Sequence, residues 1–173
     1  MNSGELQMPR DLDYEKTLSE IEESSKLNGY ILLNLIVILK KCSLEQLAVG
    51  LYLYRFSNVL QNIPIKNEEK KNELKGFPQW DYFNLDTVLT PFLIEKYNDR
   101  FKKGFIELLS RNLIFAKEEK VILNYENVSE YMEEIVENIR VHKKCQYISK
   151  VIEYYPIESL NEIISKIVGE ISD

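Results

Sequence analysis

The chain has 173 residues, with 22 basic and 28 acidic side chains and a formal net charge of −6. Hydrophobic residues make up 45% of it, enough apolar surface to exclude a largely disordered chain, and the length fits one domain. With 6 Gly and 5 Pro it is poor in turn formers for a many-turned β-sandwich, and its acidity argues against a dedicated nucleic-acid binder, which carries a strongly basic domain.

Residues 1–10 are polar, contain Gly4 and Pro9, and read as a loose terminus. They lack the basic and apolar blocks of a secretory leader. One α-rich domain is expected over residues 11–173. Residues 11–26 hold six acids against two lysines, with Tyr14, Leu18 and Ile21 at helical spacing. Residues 27–41 are apolar almost all round, which predicts a buried helix. The run of about ten apolar residues inside it falls short of the roughly 20 that span a bilayer. Ser43 and Gln46 form the Ser-x-x-Gln signature of a capping box, opening a helix with Leu44, Leu47, Leu51 and Tyr54 on one face as far as Leu60; Pro64 forbids its continuation.

Residues 64–83 read as a long charged and aromatic surface loop, the kind that is usually functional or disordered. Its Phe77, Trp80, Tyr82 and Phe83 are candidate anchors for a protein partner; folding back over the core is the alternative. Asp86 is placed to cap a helix from residue 87 towards 96, interrupted by Pro91. Asp99 is placed to cap the next, where Phe101, Phe105, Leu108 and Leu109 form one face. Asn112 stands where a left-handed residue would end that helix. Two β-prone runs around Glu118-Glu119 predict a hairpin, with Glu–Lys attraction across its ends. Asn127-Val128-Ser129-Glu130 predicts the start of a long helix running to Tyr155, where Pro156 breaks it, and an amphipathic helix with Leu160, Ile164 and Ile167 follows, giving C-terminal helices over 127–171. The expected fold is therefore mainly α with a small β-hairpin. Two helices followed by a hairpin is the order of a winged helix, placed at residues 84–125.

Catalytic and metal constellations are not evident. His142 is the only histidine, and although Cys145 lies one turn away, no third group is present to orient a pair. Cys42 and Cys145 are too far apart in sequence for a short-spaced metal motif, and a reducing cytoplasmic location is the simplest expectation. Adjacent glutamates, such as Glu133/Glu134, fall on solvent-facing segments. The glycines are scattered, with no phosphate-binding loop. Neither cofactor, metal, small-molecule substrate nor membrane is expected, and the chain is not read as an enzyme. The remaining chemistry is basic: Arg100, Lys102, Lys103 and Arg111 on the second helix of the winged unit, and Lys117 and Lys120 near the hairpin tip, are candidates for DNA contact. A solvated or protein-binding face is the other reading of the same residues.

Leu89-Thr90-Pro91-Phe92-Leu93-Ile94-Glu95-Lys96-Tyr97-Asn98-Asp99-Arg100-Phe101, followed by Phe105-Ile106-Glu107-Leu108-Leu109-Ser110-Arg111-Asn112-Leu113-Ile114, resembles the middle component of bacterial three-component ABC systems. The small subunit of the Lamassu anti-phage system belongs to the same group. That family shows a leucine-rich helix, Tyr-x-x-Arg-Phe, an apolar helix, Arg-Gly-Leu-Ile and a strand; here Asn112 replaces the expected Gly. The resemblance covers about residues 28–130. It implies a non-enzymatic subunit of an SMC-like complex in antiviral defence, bound to an SMC/Rad50-like ATPase subunit and, through it, to a nuclease or other effector subunit, with DNA met through the complex. A winged-helix transcriptional regulator is the alternative.

Overall fold

The computed structural model describes residues 24–65, 77 and 98–172. The fold is mainly α, with a small three-stranded antiparallel sheet. Helix α1 (Ser25–Leu39) is buried over most of its length, as its apolar run, interrupted by Asn34, requires. Lys40 ends it at φ 62°, its N–H donating to the Ile36 carbonyl. Strand β1 (Lys41–Ser43) then leads straight into α2 (Leu44–Arg55) through the expected capping box: Gln46 N–H donates to Ser43 Oγ at 3.1 Å, and Ser43 N–H to Gln46 Oε1 at 2.9 Å.

The helix expected from Leu44 to Leu60 is two helices. Phe56 leaves helical geometry at φ −100°, ψ 69°, and α3 (Ser57–Asn62) starts anew. Burying the Phe56 ring against Tyr52, 4.5 Å between centroids, accompanies the break. The expected helices at 14–21 and 87–96 lie outside the described residues.

Helix α4 (Asp99–Ser110) is capped by Asn98, whose Oδ1 accepts from Phe101 N–H at 3.1 Å. Asp99, expected as the cap, is instead the first helical residue, where its charge suits the helix dipole. Strands β2 (Ile114–Lys117) and β3 (Lys120–Leu123) form the hairpin. It is not a free wing: β3 lies between β2 and β1, pairing Cys42 with Val121 and Ala116 with Val121. The expected Glu–Lys attraction across its ends is replaced by Lys117 opposite Lys120, because the two glutamates occupy the turn itself.

Both turn residues have positive φ, Glu118 at 51° and Glu119 at 62°. A two-residue turn with both φ positive matches the twist of the strands but disfavours residues bearing a Cβ. Glu118→Asn with Glu119→Gly is therefore expected to stabilise the protein by about 1 kcal/mol, read as a higher denaturant midpoint with unchanged m-value. Asn112 takes the left-handed geometry its position called for, at φ 53°.

The long helix expected from residue 127 is broken. Short α5 (Tyr125–Val128), a 3-10 turn (Ser129–Tyr131), α6 (Met132–Glu137) and α7 (Ile139–Tyr154) replace it. Asn138, at ψ 71°, ends α6 and caps α7 by accepting from Val141 N–H. Asn127 is no cap: its side chain, with that of Asn124, donates to the Asn112 carbonyl and ties α5 to the end of α4. Helix α8 (Ile157–Ser172) closes the chain with Leu160, Ile164 and Ile167 buried.

One continuous core joins α1, α2, α7 and α8 to the inner face of the sheet. Helix α4 packs on α1 at a pair of glycines. A Cβ built on Gly104 would stand 2.8 Å from the Asn28 carbonyl carbon and 2.9 Å from Gly29 N, so the two backbones touch.

Candidate interaction site

Phe101, Gly104 and Leu108 turn α4 towards the core, which leaves Lys102, Lys103, Ile106, Leu109 and Ser110 on its outer side. Ile106 is 62% exposed, so this face is neither uniformly basic nor uniformly apolar. Phe101 and Phe105 stack at 5.7 Å between centroids.

The six basic candidates do not form one patch. Lys102 and Lys103 are exposed on α4, and Lys117 and Lys120 at the hairpin tip. Arg100 is half-buried and has interactions of its own. Arg111 is tied down: its Nε donates to Glu107 Oε1 at 2.7 Å, and Glu107 also accepts from Ser25 Oγ at 3.1 Å. The Arg111 hydrogen bond holds the Glu107 carboxyl below its usual range, with Ser25 contributing. Arg111 thus belongs to the rim of a groove of about 780 Å³ between α1, α4 and α6, along with Lys26, Tyr30, Tyr131 and Ile139. Tyr30 crosses that groove, its hydroxyl donating to the Glu134 carbonyl at 3.2 Å, and burial pushes its phenol up.

Lys41, not anticipated from the sequence, joins the hairpin lysines because β1 pairs with β3 and places Lys41 opposite Ile122. A three-residue strand between two helices carries no periodic signal that could have foretold this. Of the loop aromatics, Phe77 is described: it packs partly buried against the core, 6.0 Å from Lys144 Nζ. Trp80, Tyr82 and Phe83 lie outside the described residues.

His142 and Cys145 are not brought together as a reactive pair. His142 Nδ1 lies 3.2 Å from Asn34 Oδ1, which makes that ring nitrogen the proton donor in this contact. Cys145 is fully buried, its Sγ 3.9 Å from the Ile31 carbonyl. Burial pushes both thiols up, Cys42 to about 12, so neither is a ready nucleophile. The folded state holds the Cys42 proton more tightly than the unfolded chain. Stability from this group is full below pH 9 and falls as pH rises from 9 towards 12. We expect Cys42 to account for a loss of about 1 kcal/mol by pH 10, reduced in Cys42→Ala relative to its own pH 7 value, and native-state thiol reagents to label neither cysteine before unfolding. Among the described residues, no group of three or more His, Cys, Asp or Glu side chains could hold a metal ion, and no helix is long and apolar enough to cross a membrane.

Compared with protein-family models, with curated proteins and with solved structures, the chain gives no match.

Proposed function

We propose that the chain is a non-catalytic accessory subunit of a cytoplasmic anti-phage or anti-plasmid defence complex, binding an SMC/Rad50-like ATPase and helping couple DNA sensing to a nuclease or other effector. The resemblance over about residues 28–130 to the middle component of three-component ABC systems, Lamassu included, is the source of the partners' identity. The element order fits both this reading and its alternative: α1, β1, α2, then α4 and the β2–β3 hairpin, with sheet order β1-β3-β2. We read this order as that of a winged helix, with the first strand between the first two helices, α4 in the recognition position and the hairpin as the wing. On this reading the unit begins at Ser25 rather than at residue 84, and its second and third helices are α2 and α4.

The observation that carries the subunit reading is the character of the exposed face. Ile106 on α4 and Phe115 on the wing are more than half exposed, where a reader of duplex DNA would present polar and basic groups to phosphates and base edges. Apolar residues dispersed among lysines suit a protein interface, whose centre gains from aromatic burial and whose rim is polar.

The DNA-binding regulator is the second reading, favoured by the exposure of Lys102 and Lys103 on α4 and of Lys117 and Lys120 on the hairpin. One experiment separates the two. The tagged full-length chain, expressed with its neighbouring genes, is expected to co-purify with an SMC-like ATPase and to bind duplex DNA weakly when alone. Tight sequence-specific binding by the isolated chain, with a salt slope that falls by about 2 when Lys102 and Lys103 are neutralised, would establish the regulator instead.

A further inference from the structure

We propose that the outward face of the three-stranded sheet docks an acidic, apolar-bearing segment of a partner protein. The register sets Lys41, Ile122 and Phe115 in one row across the sheet, and Ser43, Lys120 and Lys117 in the next. Side chains alternate along a strand, so these six share one face, while Cys42, Val121 and Leu123 turn into the core. Phe115 is 54% and Ile122 37% exposed, side by side as a cross-strand pair. Lys41, Lys117 and Lys120 surround them, exposed, and among the described residues none has an ion-pair partner. On a chain of net charge −6 this is a local concentration of positive charge around an apolar centre. The acids of the hairpin are the two turn residues, Glu118 and Glu119, beyond the lysine pair.

Two features of this face work against the hairpin's own stability. Lys117 and Lys120 are directly opposed like charges, an arrangement that destabilises a strand pair, and an aromatic side chain is left in water. A protein segment that covers Phe115 and Ile122 with apolar side chains, and meets the three lysines with carboxylates, relieves both at once. Phosphates of a nucleic acid would neutralise the lysines but leave the Phe115–Ile122 row without an apolar contact. The choice of a protein occupant rests on the subunit reading above.

The test uses amide chemical shifts of the full-length chain titrated with three probes: a synthetic peptide alternating glutamate and leucine, the same peptide with lysine for glutamate, and a DNA duplex. The acidic peptide is expected to move the amides of Lys41, Phe115, Lys117, Lys120 and Ile122, to weaken as salt is raised, and to lose about tenfold or more in affinity in Phe115→Ser. Lys117→Glu is the decisive variant. It replaces a repulsive strand pair by an attractive one, so it raises the melting temperature while lowering peptide affinity about tenfold or more, and misfolding cannot account for that combination. Shifts centred elsewhere, equal binding of the basic peptide, undiminished affinity in Lys117→Glu, or DNA moving these amides in place of peptide would overturn the proposal. The two readings fail separately. A chain with no ATPase partner whose sheet face still takes the acidic peptide refutes the subunit reading alone. An ATPase complex unchanged by Phe115→Ser and Lys117→Glu refutes the docking face alone.

Discussion

Gly104→Val is expected to abolish the folded state, and Gly104→Ala to cost about 2 kcal/mol or more in a urea denaturation. The Ala figure is a net one. Alanine gains about 1 kcal/mol over glycine in a helix interior, so steric overlap must exceed that gain, and the geometry says it does. The added Cβ would sit 2.8 Å from the Asn28 carbonyl carbon, 2.9 Å from Asn28 Cβ and 2.9 Å from Gly29 N. Backbone atoms of a buried helix cannot rotate aside as a side-chain tip can, so α4 would have to lift away from α1, uncovering Phe101 and Leu108. Two other glycines set the scale. Gly29→Ala meets the Gly104 carbonyl oxygen at 3.2 Å, a contact that a small shift relieves, and its cost should stay within about 1 kcal/mol. Gly169→Ala in α8 meets nothing within 4 Å and should stabilise by up to about 1 kcal/mol. A measured order other than 104, 29, 169 from most to least damaging would contradict the crossing described here.

Ser57→Ala is expected to destabilise by about 2 kcal/mol, the range for losing a hydrogen bond to a charged group. Lys144 is only 3% exposed, and its Nζ donates to Ser57 Oγ at 2.7 Å while lying 4.6 Å from the centre of the Tyr54 ring. Removing the hydroxyl deprives a buried ammonium of an acceptor where water has little access. The bond also joins residues 87 apart in sequence, so its loss loosens α3 from α7. Ser110→Ala provides the comparison. That hydroxyl also makes a hydrogen bond, to the Glu107 carbonyl at 2.9 Å, but at an exposed position, and its loss should stay within about 0.5 kcal/mol. Equal effects at the two serines would mean that Lys144 is better solvated than its burial indicates.

The elements that could be read from the chain are those with strong local signals. The apolar run of α1, the Ser43–Gln46 box and the left-handed Asn112 are each decided within a few residues. The hairpin was legible for the same reason. What was hidden depends on partners distant in sequence. Strand β1 exists only because β3 offers it a ladder, so Lys41 could not be assigned to the sheet face. The breaks at Phe56 and Asn138 interrupt helical periodicity without Pro or Gly to announce them. Gly29 and Gly104 looked like scattered glycines because their meaning is a contact between two helices. For the candidate site, the lysines of α4 and the hairpin were visible as residue types. The engagement of Arg111 with Glu107, the inward packing of Phe77 and the exposed Phe115–Ile122 row appeared only with the fold.

The late arrival of β3 has a consequence for biosynthesis. Residues 41–43 leave the ribosome well before residues 120–122, and at about 5–20 residues per second the interval is on the order of 4–15 s. For most of it, until residues 99–110 have emerged as α4, the nascent chain holds an unmatched strand beside the uncovered flank of α1. Closure of so distant a ladder is slow by the loop-entropy argument, which makes this polypeptide a natural client for chaperones that shield emerging apolar segments.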